Sequence, residues 1–372
     1  MKLAIVSDAI WPYHNGGKEM RIHELTTRLV ASGFDVHVYT MKWWDGPQTT
    51  RAENGVTLHA IMKKMPLYEG ERRSIKQGIR FGLACFTLLA STFDVADVDH
   101  MPYFPLFSMK LVCLVKRRPM VATWHEVWGY QYWMRYLGKA GLLAATLERL
   151  TVLLPNHIVA VSPMTAERLM TMLHAPRPVT LVENGIDYET IARTAPAAQA
   201  SDIVFVGRLL KHKGVDDLLR AVAIMKQTRP DVTCLIISDG PERANLERLS
   251  RNLKLTKNVT FTGFVARDSD KLALMKAAKI FALPSVREGF SIVALEALAC
   301  GLPVVTTDHP ENAARRLVSP ATGALVAAHD PQALADALSA QLARKRGDAA
   351  QLAARKFDWD RSVTRLLKVY AA

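Results

Sequence analysis

Leu283-Pro284-Ser285-Val286-Arg287-Glu288-Gly289-Phe290-Ser291 opens the stretch that decides the fold, which runs on as IVALEALACGLPVV to Val305. Its approach, IFALPS, has the apolar run of a short buried strand. Ser291–Cys300 reads as a helix, stopped by Gly301 with Pro303 just beyond, a left-handed cap followed by a residue that cannot continue the helix. Between them Arg287-Glu288-Gly289-Phe290 makes a tight turn. A strand–turn–helix unit presents unpaired backbone N–H groups and the positive end of the helix dipole, a natural seat for a diphosphate. Glu288 lies in the turn, and Glu296 stands four residues after Ile292, on the face of the helix mouth. Carboxylates on either side of an anion suit hydroxyl groups rather than the phosphate itself, and a nucleotide sugar carries hydroxyls on both ribose and hexose.

The chain has 372 residues, 49% hydrophobic and 22% charged, enough for two soluble domains. Leu3–Val6 is followed at once by Ser7 and Asp8, too short an apolar run for a signal peptide, and Gly82–Phe93 is too short to span a bilayer. Cys85, Cys113, Cys234 and Cys300 lie in apolar segments with no metal-ligand spacing, as reduced core residues of a cytosolic protein do. The formal charge of +13 is shared: 21 Lys/Arg against 15 Asp/Glu up to Ile186, and 27 against 20 beyond. A basic balance suits phosphate-bearing ligands or an anionic membrane. No nucleic-acid-binding motif accompanies it, so no nucleic-acid partner is expected.

The same strand-to-helix grammar recurs along the chain. A strand over Lys2–Ser7, a turn ending in Gly16-Gly17, a helix from about Lys18 to Gly33 and a strand over Phe34–Thr40 form a βαβ opening, which points to a parallel doubly wound sheet. Arg72, Lys76 and Arg80 recur every four residues, with Lys63, Lys64 and Arg73 nearby and Ile75, Ile79, Phe86 and Leu89 on another face. Such a basic amphipathic helix either lies on an anionic bilayer or packs on its own sheet. Met120–Thr123 reads as a strand that leads into Trp124-His125-Glu126, which puts His125 at a strand's C-terminal end, where α/β ligand sites form. The aromatic run Tyr130, Tyr132, Trp133, Tyr136 is either a wall for an acceptor or a packed helix. Further strands are expected over His157–Ser162, Leu181–Asn184, Ile203–Gly207, Cys234–Ser238, Val259–Thr262 and Lys279–Leu283. Ala192–Ala200, rich in Ala and Pro, reads as a linker. Arg208 and Lys213 follow the first strand of the second half and can balance two phosphate charges.

Glu288 and Glu296, seven residues apart within PSVREGFSIVALEALACGLPVV, resemble the signature of the family 4 glycosyltransferases (glycosyl transferases group 1). The resemblance extends to Asn184-Gly185-Ile186-Asp187, Gly207-Arg208 with Lys213-Gly214, Asp239-Gly240-Pro241, Gly263-Phe264-Val265 and the terminal Phe357-Asp358-Trp359-Asp360. It loosens at Thr307–Asn312, where members often carry a glycine-rich turn. It implies an α/β GT-B fold: two Rossmann-like domains with parallel sheets facing an interdomain cleft. On this reading 1–190 is the acceptor-side domain, 191–200 the linker, 201–356 the nucleotide-sugar domain, and 357–372 a helix returning to the first. The implied reaction is retaining transfer of a hexosyl group from a UDP- or GDP-hexose to a hydroxyl of a glycan or lipid-linked acceptor. No metal or other cofactor is expected, since cations and helix N–H groups stabilise the leaving diphosphate.

The implied catalytic residues are His125, Glu288, Arg208 and Lys213. Donor binding falls to Gly16, Gly17, Asn184, Gly185, Gly207, Arg208, Lys213, Asp239, Gly240, Phe264, Val265, Glu288, Gly289, Phe290, Ser291, Ile292 and Glu296. Glu296 is assigned the ribose and Glu288 the sugar hydroxyls. The expected location is cytoplasmic, at the inner face of the membrane if the basic segment touches lipid. Three rivals stand beside this reading: a metal-dependent transferase using Asp97-Val98-Asp99, a nucleotide-sugar epimerase of the same fold, and a non-catalytic membrane scaffold.

Overall fold

The computed structural model describes residues 1–69, 72–345 and 347–372. They form two compact units, Met1–Gly185 with Trp359–Ala372, and Ile186–Asp358. In chain order the strands of the first unit are β1 (Lys2–Val6), β2 (Asp35–Lys42), β3 (Thr50–Glu53), β4 (Val56–Lys63), β5 (Tyr68–Glu69), β6 (Arg72–Arg73), β7 (Val95–Asp99), β8 (Met120–Trp124), β9 (His157–Ala160) and β10 (Val179–Leu181). Those of the second are β11 (Ser201–Val206), β12 (Cys234–Ile237), β13 (Val259–Gly263), β14 (Ala278–Leu283), β15 (Val304–Thr307) and β16 (Gly323–Val326).

The first sheet runs β10-β9-β8-β7-β1-β2-β4-β3, parallel except for β3 on β4. The second runs β13-β12-β11-β14-β15-β16 and is parallel throughout. Helices on both faces explain why β8, β11 and β12 are buried at every residue and read as continuous apolar runs rather than alternating ones. Each sheet reverses its strand order once, between β1 and β7 in the first unit and between β11 and β14 in the second. Ligand crevices of doubly wound sheets open at the carboxyl ends of the strands at such points. Those ends are Ser7-Asp8 and Asp99-His100 in one unit, and Gly207-Arg208 and Pro284–Glu288 in the other.

Four local readings change. Arg72 and Arg73 are not part of the basic helix: they form β6, paired antiparallel with β5. The helix starts only at Ile75, where the Ser74 hydroxyl accepts the Gln77 N–H, and it ends at Ala84. Its apolar residues divide. Phe81 and the Gly78 and Gly82 faces turn inward, while Ile75, Ile79 and Leu83 are 60%, 42% and 62% exposed, with Lys76 and Arg80 between them. The strand expected over Leu181–Asn184 lies over Val179–Leu181; Val182 N–H still donates to Ala160 O at 2.9 Å, and Asn184 Oδ1 accepts from Arg21 Nη1 at 2.8 Å. The segment 191–200 opens inside a helix, Tyr188–Arg193, started by the Asp187 carboxylate accepting the Thr190 N–H. The changes of unit fall at Gly185–Ile186 and Asp358–Trp359. The terminal helix, Trp359–Tyr370, belongs to the first unit, where Asp360 meets Arg28 at 3.0 Å and the Tyr370 hydroxyl donates to Asp97 at 2.7 Å. Among the described residues no helix is long and apolar enough to cross a membrane.

Candidate active site

In the second unit, β14 delivers the chain to Pro284–Phe290 and the helix Ile292–Ala299 follows. Ser291 caps that helix, its hydroxyl accepting the Ala294 N–H, from a left-handed backbone with φ of 80°. A non-glycine residue in that region carries backbone strain of order 1–3 kcal/mol, held by its surroundings. Those surroundings are visible. Glu288 N–H donates to Glu311 O at 3.0 Å and Ala313 N–H to Glu288 O at 2.9 Å, so the turn is pinned like a strand. Asn312, fully buried, holds the pinning segment by donating from Nδ2 to Thr306 Oγ1 and Thr307 O, both at 2.9 Å. Thr307–Asn312, where the resemblance loosens, thus supports the acidic turn.

β11 brings Gly207, Arg208 and Lys213 to the same end of the sheet. The loop closes at Gly214, with φ of 66°; a Cβ there would lie 2.3 Å from Pro284 O, so only glycine lets it touch the neighbouring strand end. Lys213 Nζ then reaches Glu288 Oε1 at 2.7 Å, with both side chains mostly buried. Arg208, five residues before Lys213 on the chain, is exposed. Asp239 and Gly240 follow β12 against the same loop, where a Cβ on Gly240 would meet Leu209 O at 2.4 Å. Phe264, at the end of β13, is 56% exposed and Val265 half-buried, whereas Phe290 and Ile292 are buried, Phe290 edge-on to Phe357.

Glu296 sits deeper than the helix mouth. Lys271 grips both of its oxygens, at 3.0 and 2.9 Å. Burial by itself would depress the Lys271 ammonium, but Glu296 and Asp268 override it and hold the group above the ordinary lysine range. Lys271 had no signal in the sequence: it lies 25 residues before Glu296 on another helix. His212, beside Lys213, is pushed down to about 3, first by burial and then by Lys213 and Arg287.

In the first unit, Gly16 precedes and Gly17 begins the helix Gly17–Ala31, and Lys18 turns back into a buried charge cluster. Lys18 Nζ lies 2.8 Å from Asp8 Oδ1 and 3.4 Å from Asp99 Oδ2. Arg73 Nη2 donates to the other Asp8 oxygen at 2.8 Å, so this cation beside the basic stripe is spent inside the fold. His125 Nε2 is 3.0 Å from Asp99 Oδ1. Asn184 and Gly185 close this unit. In the aromatic run Trp133 is buried, its Nε1–H donating to Glu148, which also accepts the N–H groups of Trp128 and Gly129. Tyr132 and Tyr136 are half-buried against Trp128. The structure thus gathers Gly207, Arg208, Lys213, Asp239, Gly240 and Glu288–Glu296 in one unit, and Gly16, Gly17 and His125 in the other. Among the described residues no cluster of three or more His, Cys, Asp or Glu has the geometry to hold a metal ion.

Known proteins are similar to this chain. The model described as Glycosyltransferase Family 4 matches residues 15–190, and that of Glycosyl transferases group 1 matches 189–356. The D-inositol 3-phosphate glycosyltransferases of Salinispora tropica and Salinispora arenicola are 31% and 34% identical to this chain, over 95% of it and over 80% and 87% of their own lengths. Among solved structures, sucrose-phosphate synthase from Thermosynechococcus elongatus aligns with a TM-score of 0.78 at 21% identity, covering 100% of this chain and 98% of that one. Anabaena HepE in complex with UDP and glucose aligns with a TM-score of 0.75 at 19% identity, covering 100% of both. With both halves matched in the order in which the two sheets follow one another, the chain belongs to the family 4 glycosyltransferases, two-domain α/β enzymes of the GT-B fold.

Proposed function

We propose that this glycosyltransferase moves a hexosyl group from a UDP- or GDP-hexose to a hydroxyl of a glycan or lipid-linked acceptor, with retention of anomeric configuration and without a metal. The observation that carries the reading is the strained Ser291 cap at the mouth of the Ile292–Ala299 helix, flanked by Lys213 at Glu288 and Lys271 at Glu296. The helix N-terminus offers N–H groups to a diphosphate. Lys213 has three N–H donors, so it can keep Glu288 and still reach a phosphate oxygen; Arg208 adds a fork-shaped donor set. Together these stabilise the charge that develops on the leaving diphosphate. Glu288 accepts from hydroxyls of the transferred sugar and Glu296 from the ribose, Phe264 offers its exposed ring to the base, and His125 orients the sugar or phosphate. UDP and UDP-glucose complexes of HepE, a protein of like fold, support a nucleotide-sugar donor.

The acceptor side belongs to the first unit. The exposed row Ile75, Ile79, Leu83, Phe86 and Leu89, interleaved with Lys76 and Arg80 and free of acidic residues from 75 to 90, supports peripheral contact with the anionic inner face of the cytoplasmic membrane and hence a lipid-linked acceptor. The test is proton NMR of UDP-glucose and GDP-mannose turnover in EDTA. The first product formed should carry the donor's anomeric configuration, at a rate EDTA does not change. An inverted product, or activity that dies in EDTA and returns with manganese, would refute the proposal.

A further inference from the structure

β7 ends in Asp97-Val98-Asp99, a spacing that a metal-dependent transferase would use, yet the fold employs both carboxylates otherwise. Asp97 accepts from the Tyr370 hydroxyl at 2.7 Å and from Thr123 Oγ1 at 3.0 Å. Asp99 is 7% exposed and held at two points: Oδ1 faces His125 Nε2 at 3.0 Å, and Oδ2 faces Lys18 Nζ at 3.4 Å. Lys18 is itself anchored on Asp8, which Arg73 anchors from the far side. Burial alone would raise the Asp99 carboxyl, but Lys18 and the His125 hydrogen bond override it and keep the group ionised, well below the usual carboxylate range. An ionised carboxylate only accepts hydrogen bonds. The His125 nitrogen that meets it therefore carries the proton, and in a neutral ring the other nitrogen is left as an acceptor. The backbone around the ring is fixed as well: His125 N–H donates to His100 Nδ1 and Thr165 Oγ1–H to His125 O, both at 3.4 Å. Asp97, Arg21, His100 and Tyr370 also lie close, with Glu19 3.9 Å from Lys18 and Glu126 next in sequence. His100 stays neutral, burial first and the neighbouring His125 second pushing it far below its ordinary range.

We propose that Asp99 is the positioning residue of this site: it fixes His125 as the Nε2–H tautomer, so that Nδ1 accepts a hydrogen bond from a hydroxyl of the sugar being transferred. The proposal rests on the role given to His125 above. Asp99 would touch no substrate, and its effect passes wholly through the imidazole. This is the logic by which a buried carboxylate sets the tautomer of a working histidine.

The first test needs no substrate. Long-range proton–nitrogen NMR of protein labelled with 15N-histidine, with the His125 signals identified by their loss in His125→Gln, should show a protonated Nε2 and a bare Nδ1 at pH 7.5. A proton on Nδ1, or a doubly protonated ring, overturns the proposal. Asp99→Asn should then mix the tautomers. In UDP-glucose and GDP-mannose turnover it should lower kcat at least tenfold, with UDP and GDP binding by calorimetry unchanged. In a His125→Ala background the same substitution should cost nothing further, because coupled residues are not additive. An additive loss overturns the proposal alone. Wild-type turnover in His125→Ala would remove the role of His125 and this proposal with it.

Discussion

Replacing Lys271 by Met removes an ammonium that spans both oxygens of Glu296. The pair is well enclosed, with side-chain exposures of 13% and 9% and contacts of 3.0 and 2.9 Å. Deleting one partner of such a pair strands the other charge, at about 3–5 kcal/mol. The lower end applies because Asp268, the second partner of Lys271, is 56% exposed. About 3 kcal/mol in a unit of this size lowers the melting temperature by roughly 6–12 °C. The double replacement Lys271→Met with Glu296→Leu should recover most of the loss, since an apolar pair of similar volume often equals or exceeds a buried ion pair. Folded-state pairing keeps the Lys271 ammonium above its unfolded value. Its stabilisation is therefore intact below about pH 10 and is lost as pH rises through the folded pKa. Thermal and urea denaturation of the wild type, the single variant and the double variant at pH 7 and pH 11 measure all of this. A single variant as stable as the wild type, or a double variant no better than the single, would refute the reasoning.

His212 supplies an acid-side prediction. Its folded pKa of about 3 lies below the unfolded value, so between about pH 6.5 and pH 3 the unfolded chain binds a proton that the folded one does not, and stability falls by up to about 1.4 kcal/mol per pH unit. His212→Gln should make the acid limb of the stability curve shallower by one proton; an unchanged slope contradicts this. The exposed Ile75–Leu89 row leads to a membrane prediction. Sedimentation should show binding to vesicles with 30% phosphatidylglycerol and little to neutral ones, weakened by salt and by Leu83→Asp. Equal binding to both, or none, would reject it. Asn312→Ala should lower turnover more than stability, because Asn312 supports the segment that pins Glu288; a purely stability-linked loss would contradict that.

Local rules carried much of the fold. The run IFALPS, the Gly301 stop and Pro303 placed β14 and the Ser291 helix, because periodicity and caps are written in neighbouring residues. The Gly-Arg-x4-Lys-Gly order placed Lys213 at the right strand end, though not its grip on Glu288. What stayed hidden depends on distant residues. Lys271 looks like any surface lysine until the fold sets it under Glu296. Arg73 lies beside what reads as a basic stripe, and the fold, with Arg73 on β6, sets it against Asp8. Asn312 lies where the resemblance weakens, and its use is set by the hydrogen bonds it makes to Thr306 and Thr307. The Asp97–Asp99 pair carries a metal-like spacing whose meaning changes once Tyr370, from the far end of the chain, reaches Asp97.

The most direct test of the account is calorimetric titration of UDP and GDP into the wild type, Glu296→Ala and Glu288→Ala. A hydrogen bond to a charged acceptor contributes about 1.5–3 kcal/mol, so Glu296→Ala should weaken the preferred nucleoside diphosphate by roughly tenfold to a hundredfold. Glu288→Ala should leave nucleotide binding nearly unchanged, since Lys213 is then released from its 2.7 Å pairing and remains beside the phosphate seat, while turnover falls because the lost contact is to the transferred sugar. If Glu288→Ala loses the nucleotide as badly as Glu296→Ala, or if neither UDP nor GDP binds the wild type, the placement of a nucleotide sugar along this helix is contradicted.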